Sequence, residues 1–259
     1  MLQSLTSEAQ QVIASSQLGR PTAAYRAKFA IKKAIAVAFL FAIGLGILAA
    51  AILESSSMLL STMIAVVITG VLVLALPLWI VVDAVRSRDI QVYVCPAGLL
   101  YLHSGKNEAI RWDQVESFWR KVVKTSSYGF QTGTTHRYTL RRYDGATFKF
   151  NDNINNVEAL GNTIAAETAR TLWPRYVAAY QAGQTLTFGK ISLNQQGVNY
   201  GKDVLFWQQL SPIQIQRGYL TLKKVGDRQS YRKVILAAEI PNVDVLMALV
   251  NDIQSGKRS

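Results

Sequence analysis

Ile110-Arg111-Trp112-Asp113-Gln114-Val115 and Leu205-Phe206-Trp207-Gln208-Gln209-Leu210 are one phrase written twice. Each puts an aliphatic residue three places after a Trp. Upstream, Gly98 and then Gly105-Lys106-Asn107 stand against Gly197 and then Gly201-Lys202-Asp203. Downstream, Ile154-Asn155-Asn156-Val157-Glu158-Ala159-Leu160 stands against Ile240-Pro241-Asn242-Val243-Asp244-Val245-Leu246. In both copies the Trp segment comes first and a helix start comes last. The Asn at each helix start suits an N-cap, and the acidic residue that follows suits the helix dipole. The repeat predicts two units, each several antiparallel strands closed by one C-terminal helix.

The residues between these anchors fill in the strands. Ile90 to Val94 alternates at period two, as a half-buried strand does. Gly98 to Leu102, the stretch through Ile110 and Trp112, and Val115 to Val123 follow as strands. Thr125 to Thr135 is rich in Gly, Ser and Thr and reads as a loop. Arg137–Tyr143 and Ala146–Phe150 form a hairpin around Asp144-Gly145. A helix runs from Asn156 to about Ala182, buried along Val157, Leu160, Ile164, Ala165 and Thr168, with Pro174 set to bend or restart it. Short strands between Thr185 and Ala238 make the second series. A helix from about Asn242 to Ile253 ends it, with Val243, Leu246, Val250 and Ile253 on one face.

Outside the repeat, two apolar runs stand out. Ala34 to Leu53 carries no charge, Glu54-Ser55-Ser56-Ser57 interrupts, and Met58 to Val82 is again uncharged. About 20 helical residues match the ~30 Å hydrocarbon core of a bilayer. The runs therefore predict a transmembrane helical hairpin, 34–53 and 58–82. A buried core hairpin is the alternative. Ala42, Gly46 and Ala50, spaced by four, would allow close helix approach within the chain or between copies. Basic residues Arg20, Arg26, Lys28, Lys32 and Lys33 precede the first run, and Arg86 and Arg88 follow the second. By the positive-inside rule this is a multi-pass cell-membrane protein with both termini cytoplasmic. No ionisable residue lies inside either run, which argues against a pump or transporter. The expected division is 1–33 cytoplasmic segment, 34–82 hairpin, 83–183 first unit and 184–259 second unit.

This layout resembles the pleckstrin-homology (PH) superfold, a bent antiparallel sheet capped by a helix. The chain is similar to an uncharacterised family of bacterial membrane proteins with a two-helix anchor and a duplicated PH-like region. The likeness rests on Leu18-Gly19-Arg20-Pro21 with Tyr25, Ile110 to Val115, Thr132-Gly133-Thr134-Thr135-His136, Tyr143-Asp144-Gly145, Phe148-Lys149-Phe150, and Phe188-Gly189 through Gln195-Gln196-Gly197. It implies an α+β fold of two PH-like units behind a transmembrane hairpin. It lends no activity.

The chain has 28 Lys and Arg against 16 Asp and Glu, a net charge of +12. One cysteine, Cys95, allows no internal disulfide and fits a reducing compartment. There is no Walker sequence, no dinucleotide fingerprint, no zinc spacing and no paired carboxylates. No catalytic, metal or cofactor residue is expected. The only thiol and the only histidines, Cys95, His103 and His136, mark an atypical enzyme site as the alternative. The strongest signal is basic: Arg120, Lys121, Lys124, Arg137, Arg141 and Lys149 flank the stretch from Thr125 to Thr135. Arg137, Thr139 and Arg141 should share one face of their strand, Tyr138 and Leu140 the other. Such a face suits an anionic lipid or an acidic protein segment; its plain reading is a solvated surface. A smaller analogue lies at Arg217, Lys223, Lys224, Arg228, Arg232 and Lys233. Nucleic acid ranks last, because no helix is rich in Arg and Lys. The expectation is a non-enzymatic, membrane-anchored binding or scaffold module, with a homo-oligomer possible.

Overall fold

The computed structural model describes residues 6–28, 31–53, 62, 64–75, 82, 90–127, 130–226 and 232–256. The Glu54–Ser57 connection, Pro77, Arg86, Arg88 and Arg228 lie outside them. The chain divides into two compact units. The larger comprises Met1–Tyr25, Val92–Tyr101 and Asn107–Ser259, the smaller Arg26–Gln91 and Leu102–Lys106.

The fold is α+β with small antiparallel sheets. The first series holds β1 (Ala23–Arg26), β2 (Gln91–Cys95), β3 (Gly98–His103) and β4 (Lys106–Arg111), in the order β1-β2-β3-β4. A 3-10 turn at Trp112–Gln114 leads to β5 (Val115–Ser127), β6 (Phe130–Arg142) and β7 (Thr147–Asn151), ordered β5-β6-β7. Helices α1 (Ser7–Ser15) and α2 (Ile31–Leu53) and a helical stretch at 64–75 precede β2, and α3 (Val157–Gln181) closes the series. The second series repeats this with β8 (Leu186–Phe188), β9 (Ile191–Leu193), β10 (Gly197–Tyr200) and β11 (Asp203–Phe206) in one sheet. Its other sheet is β12 (Gln214–Gln216), β13 (Tyr219–Lys223) and β14 (Arg232–Leu236), closed by α4 (Val243–Gly256).

The repeat is exact enough to be read atom by atom. The Trp112 amide donates to the Ala97 carbonyl at 3.1 Å, and the Trp207 amide to the Gln196 carbonyl at 3.1 Å. Gly98 and Gly197 sit at the same crossing. A Cβ on Gly98 would run into the Ile110 carbonyl, and one on Gly197 into the Leu205 carbonyl. Only glycine lets the strands approach this closely. Asn156 and Asn242 are both left-handed, at φ 52° and 50°. Asn tolerates that region better than most residues.

α3 runs through Pro174 as one helix. One face of its first half, with Val157, Leu160, Gly161 and Ile164, is buried, with Gly161 against the Tyr138 ring. Its later residues Leu172, Trp173, Tyr176, Val177 and Tyr180 belong to the second series' core, around Phe188, Leu205, Trp207, Leu222 and Leu246. One helix thus serves both cores.

Three expectations need correction. Among the described residues no helix is long and apolar enough to cross a membrane. The transmembrane hairpin is therefore overturned, and with it the integral two-span membrane partner and the multi-pass localisation with cytoplasmic termini. Within the chain, Ala42, Gly46 and Ala50 do not form the close approach, since a Cβ on Gly46 would meet nothing within 4 Å. The notches are Gly44, under Leu74, and Gly70, under Leu48. Second, Thr125–Thr135 is no loop in its described part. β5 and β6 pair as far as Ser127 and Phe130, with a register shift between Thr125 and Ser126. Thr favours strands, so a run of Thr residues suits this pairing. Third, β2 is buried on both faces from Val92 to Cys95 rather than half-buried. The segment after α1 lies close by: Leu18 is fully buried, its carbonyl accepts the Ala97 amide, and Thr22 donates its amide to Val94.

Candidate functional site

The basic strands sort by the pleat of β5-β6-β7. Phe118, Tyr138, Leu140, Phe148 and Phe150 are buried on one face. The other face carries cross-strand rows. Trp119 lies opposite Thr139, which lies opposite Lys149; Lys121 lies opposite Arg137, which lies opposite Asn151. Arg141 is one pleat along from Thr139. The structure thus brings Lys121, Arg137, Arg141 and Lys149 onto one outward face, with Arg137, Thr139 and Arg141 together as alternation requires.

Arg120 and Lys124 fall in the opposite alternation. Arg120 reaches the helices, donating to Asn162 Oδ1 at 2.7 Å and pairing with Asp244 at 3.2 Å. It holds α3 and α4 to the sheet and is spent there. Arg141 is half engaged. It donates twice to Glu116 at 2.8 Å, and its guanidinium lies 5.2 Å from the Trp119 ring. Lys121, Arg137 and Lys149 are exposed. Like charges directly opposite one another, as at Lys121 and Arg137, destabilise a sheet. The smaller analogue puts Lys223 opposite Arg232 on β13 and β14, while Lys233 pairs with Asp203 at 3.2 Å.

The outward face runs into a cleft of about 840 Å³ lined by Trp119, Arg141, Tyr143, Arg175, Tyr176 and β8. Arg175 donates to the Tyr143 hydroxyl at 2.6 Å. Burial pushes the Tyr176 hydroxyl above its ordinary pKa. Lys190 pairs with Glu239 at 3.3 Å on the rim. β8 is the last strand of its sheet. Phe188 and Ile191 pair across Gly189-Lys190, so alternation turns the backbone groups of Thr187 toward the open side. An unpaired strand edge accepts another strand. Trp119, Tyr143, Arg175 and the β8 edge were missed in the sequence. Trp119 had a signal, since it alternates with buried Phe118.

Two residues of the alternative site, Cys95 and His136, are buried. Cys95 is 1% exposed, and burial pushes its thiol up to about 11, so little thiolate exists near neutrality. His136 is held by Asp152, which accepts its backbone amide at 2.7 Å and lies 2.9 Å from Nδ1. His103 ends β3. Among the described residues no group of three or more His, Cys, Asp or Glu is placed to hold a metal. A second cavity, of about 550 Å³, is lined by Arg111 and Arg142, whose charges are taken by Asp113 at 3.0 Å and by Asp144.

These features define a class: an α+β protein whose duplicated strand-and-helix series bears one outward cationic face beside a cleft. The chain belongs to a family of unknown function, DUF6585, whose model matches residues 3–259. No curated protein and no solved structure matches it.

Proposed function

We propose that the protein is a non-enzymatic binding module that takes an extended acidic polypeptide segment across the outward face of β5-β6-β7 and into the adjoining cleft. The observation that carries this is Lys121 opposite Arg137, with Lys149 beside them. Such a pairing costs stability in the free protein and is relieved by an anionic ligand. Arg141 supports the same reading, because its planar fork suits carboxylates. The open edge of β8 offers main-chain hydrogen bonds to an extended chain, a recurring mode of peptide recognition. The series of four strands, three strands and a helix, occurring twice, supports a tandem PH-like scaffold for that role.

The test is fluorescence anisotropy with a labelled Asp- and Glu-rich peptide and the full chain. Binding should weaken as salt rises, since the Debye length shrinks from about 10 Å at 0.1 M to 3 Å at 1 M. The triple variant Lys121→Glu, Arg137→Glu, Lys149→Glu should lose at least about tenfold in affinity, or ~1.4 kcal/mol. Equal binding by the variant would sink the proposal. So would binding only to vesicles of anionic lipid and not to the peptide.

A further inference from the structure

Asn242 closes the edge of β5 with three hydrogen bonds. Its side-chain Oδ1 accepts the Phe118 amide at 2.9 Å, and its Nδ2 donates to the Glu116 carbonyl at 2.9 Å. Its own backbone amide donates to the Phe118 carbonyl at 2.9 Å. The tip of the second series is in this way seated on the sheet edge of the first. Stepping from Trp112 to Trp207 carries Glu116 and Phe118 onto Ser211 and Ile213. There a different amide does the same work. Gln254 Oε1 accepts the Ile213 amide at 3.2 Å, and Nε2 donates to the Ser211 carbonyl at 3.5 Å.

Stepping from Asn156 to Asn242 carries Thr168 onto Gln254. Thr168 is 2% exposed and its hydroxyl has no hydrogen-bond partner among the described residues. Its side chain is shorter than that of Gln254, and the edge of β5 is closed by Asn242 instead. In the second series Gln254 fills the corresponding place, beside a cavity of about 360 Å³ lined by Pro212, Ile213, Gln214, Asn251, Gln254 and Ser255. Asn156, the counterpart of Asn242, has the same left-handed backbone but is exposed, and its side chain makes no cap hydrogen bond.

The chain therefore holds one tip in its seat, one tip whose Asn155 and Asn156 are exposed beside buried Ile154, and one seat filled by a side chain of its own helix. We propose that the Ser211–Ile213 seat accepts the Ile154–Asn156 tip of a second copy, and that Gln254 is the plug that competes with it. This does not depend on the peptide reading above. The contact repeats between copies what already exists within one chain. It is heterologous, so it propagates head to tail or closes into a ring. Exchanging one amide for another conserves both hydrogen bonds, and the tethered plug has the advantage of proximity. The Arg120–Asp244 pair would have no equivalent between copies, because Ile215 stands where Arg120 would be, opposite the second copy's Glu158 in the place of Asp244. The contact between copies is correspondingly weaker than the one within the chain.

The test is sedimentation velocity of the full chain over a concentration series. Gln254→Thr, which copies Thr168, should self-associate at least about tenfold more tightly than the wild type. Adding Asn156→Gly, which keeps the left-handed backbone and removes the amide, should return it to wild-type behaviour. Circular dichroism checks that each variant is folded. If the wild type itself associates, Asn156→Gly alone must weaken that association. The proposal is overturned if folded Gln254→Thr sediments like the wild type, or if its association survives Asn156→Gly.

Discussion

The first and second series share a scaffold and differ at their rims. Both cross a glycine under a strand, both bond a Trp amide back to the preceding strand, and both start the closing helix on a left-handed Asn. At the rims they part. The first series extends β5 and β6 to 13 residues each, while β12 and β13 have 3 and 5. Trp207 Nε1 donates to the Asn194 carbonyl at 2.8 Å, whereas Trp112 Nε1 is buried without a partner among the described residues. Positions that set backbone geometry were kept through the duplication. Positions that only face a neighbour or a ligand were free to diverge.

The hardest blow to that comparison is a side chain at the shared crossing. Gly98→Val and Gly197→Val should each destabilise by about 3 kcal/mol or more, because a Cβ meets a backbone carbonyl that cannot move aside. Chemical denaturation of each variant checks this. Similar losses would confirm one structural role. A large loss in only one series would break the equivalence.

The next test separates equivalent residues with unequal partners. Asn242→Ala should cost about 2–4 kcal/mol, since it leaves the buried Phe118 amide and Glu116 carbonyl unpaired. Asn156→Ala removes no side-chain cap bond and should cost about 1 kcal/mol or less, chiefly from the left-handed backbone. Thermal melting of the pair reads the difference directly.

That contrast also marks how far the sequence could be read. Gly98 and Trp112 announced themselves because their partners are local and their chemistry is specific. Asn156 reads as an N-cap, but only its left-handed backbone fits that place, since its side chain makes no cap hydrogen bond. The face of β6 was legible because alternation is a property of the strand alone. The partner of Asn242 was not, since it lies 124 residues away in the chain and no local pattern encodes it. Arg120 looked like its basic neighbours until the pleat turned it onto Asp244. The stretch beyond Thr125 lacked a signal because its sequence, rich in Gly, Ser and Thr, shows no apolar alternation. In the apolar runs, length and hydropathy suggested two spans, but among the described residues no helix is long and apolar enough for one.

An acid titration probes a smaller asymmetry. The Arg111 guanidinium beside Asp113 holds its carboxyl below the usual range. At the equivalent places the second series has Phe206 and Gln208. A carboxyl with a depressed folded pKa contributes stability above its unfolded pKa of about 3.9 and loses it as pH falls through the folded value. Wild type should therefore lose stability below that range, and Asp113→Asn should lose less over the same interval. Melting temperatures at pH 5 and pH 3 measure it. An unchanged pH slope in the variant would show that this exposed pair contributes nothing to stability.

The smallest expected effect is the most pointed, because its sign opposes the usual one. Lys121 faces Arg137 across β5 and β6 with both side chains exposed. Lys121→Glu turns a like-charged pair into an opposite one, and should stabilise the fold by about 0.5 kcal/mol. The same change should weaken binding of the acidic peptide. Gain of stability with loss of binding is the signature of a residue kept for its ligand. If Lys121→Glu lowered stability instead, the lysine would be a structural member of the sheet. The outward face of the first series would then differ from the second in composition only, not in purpose.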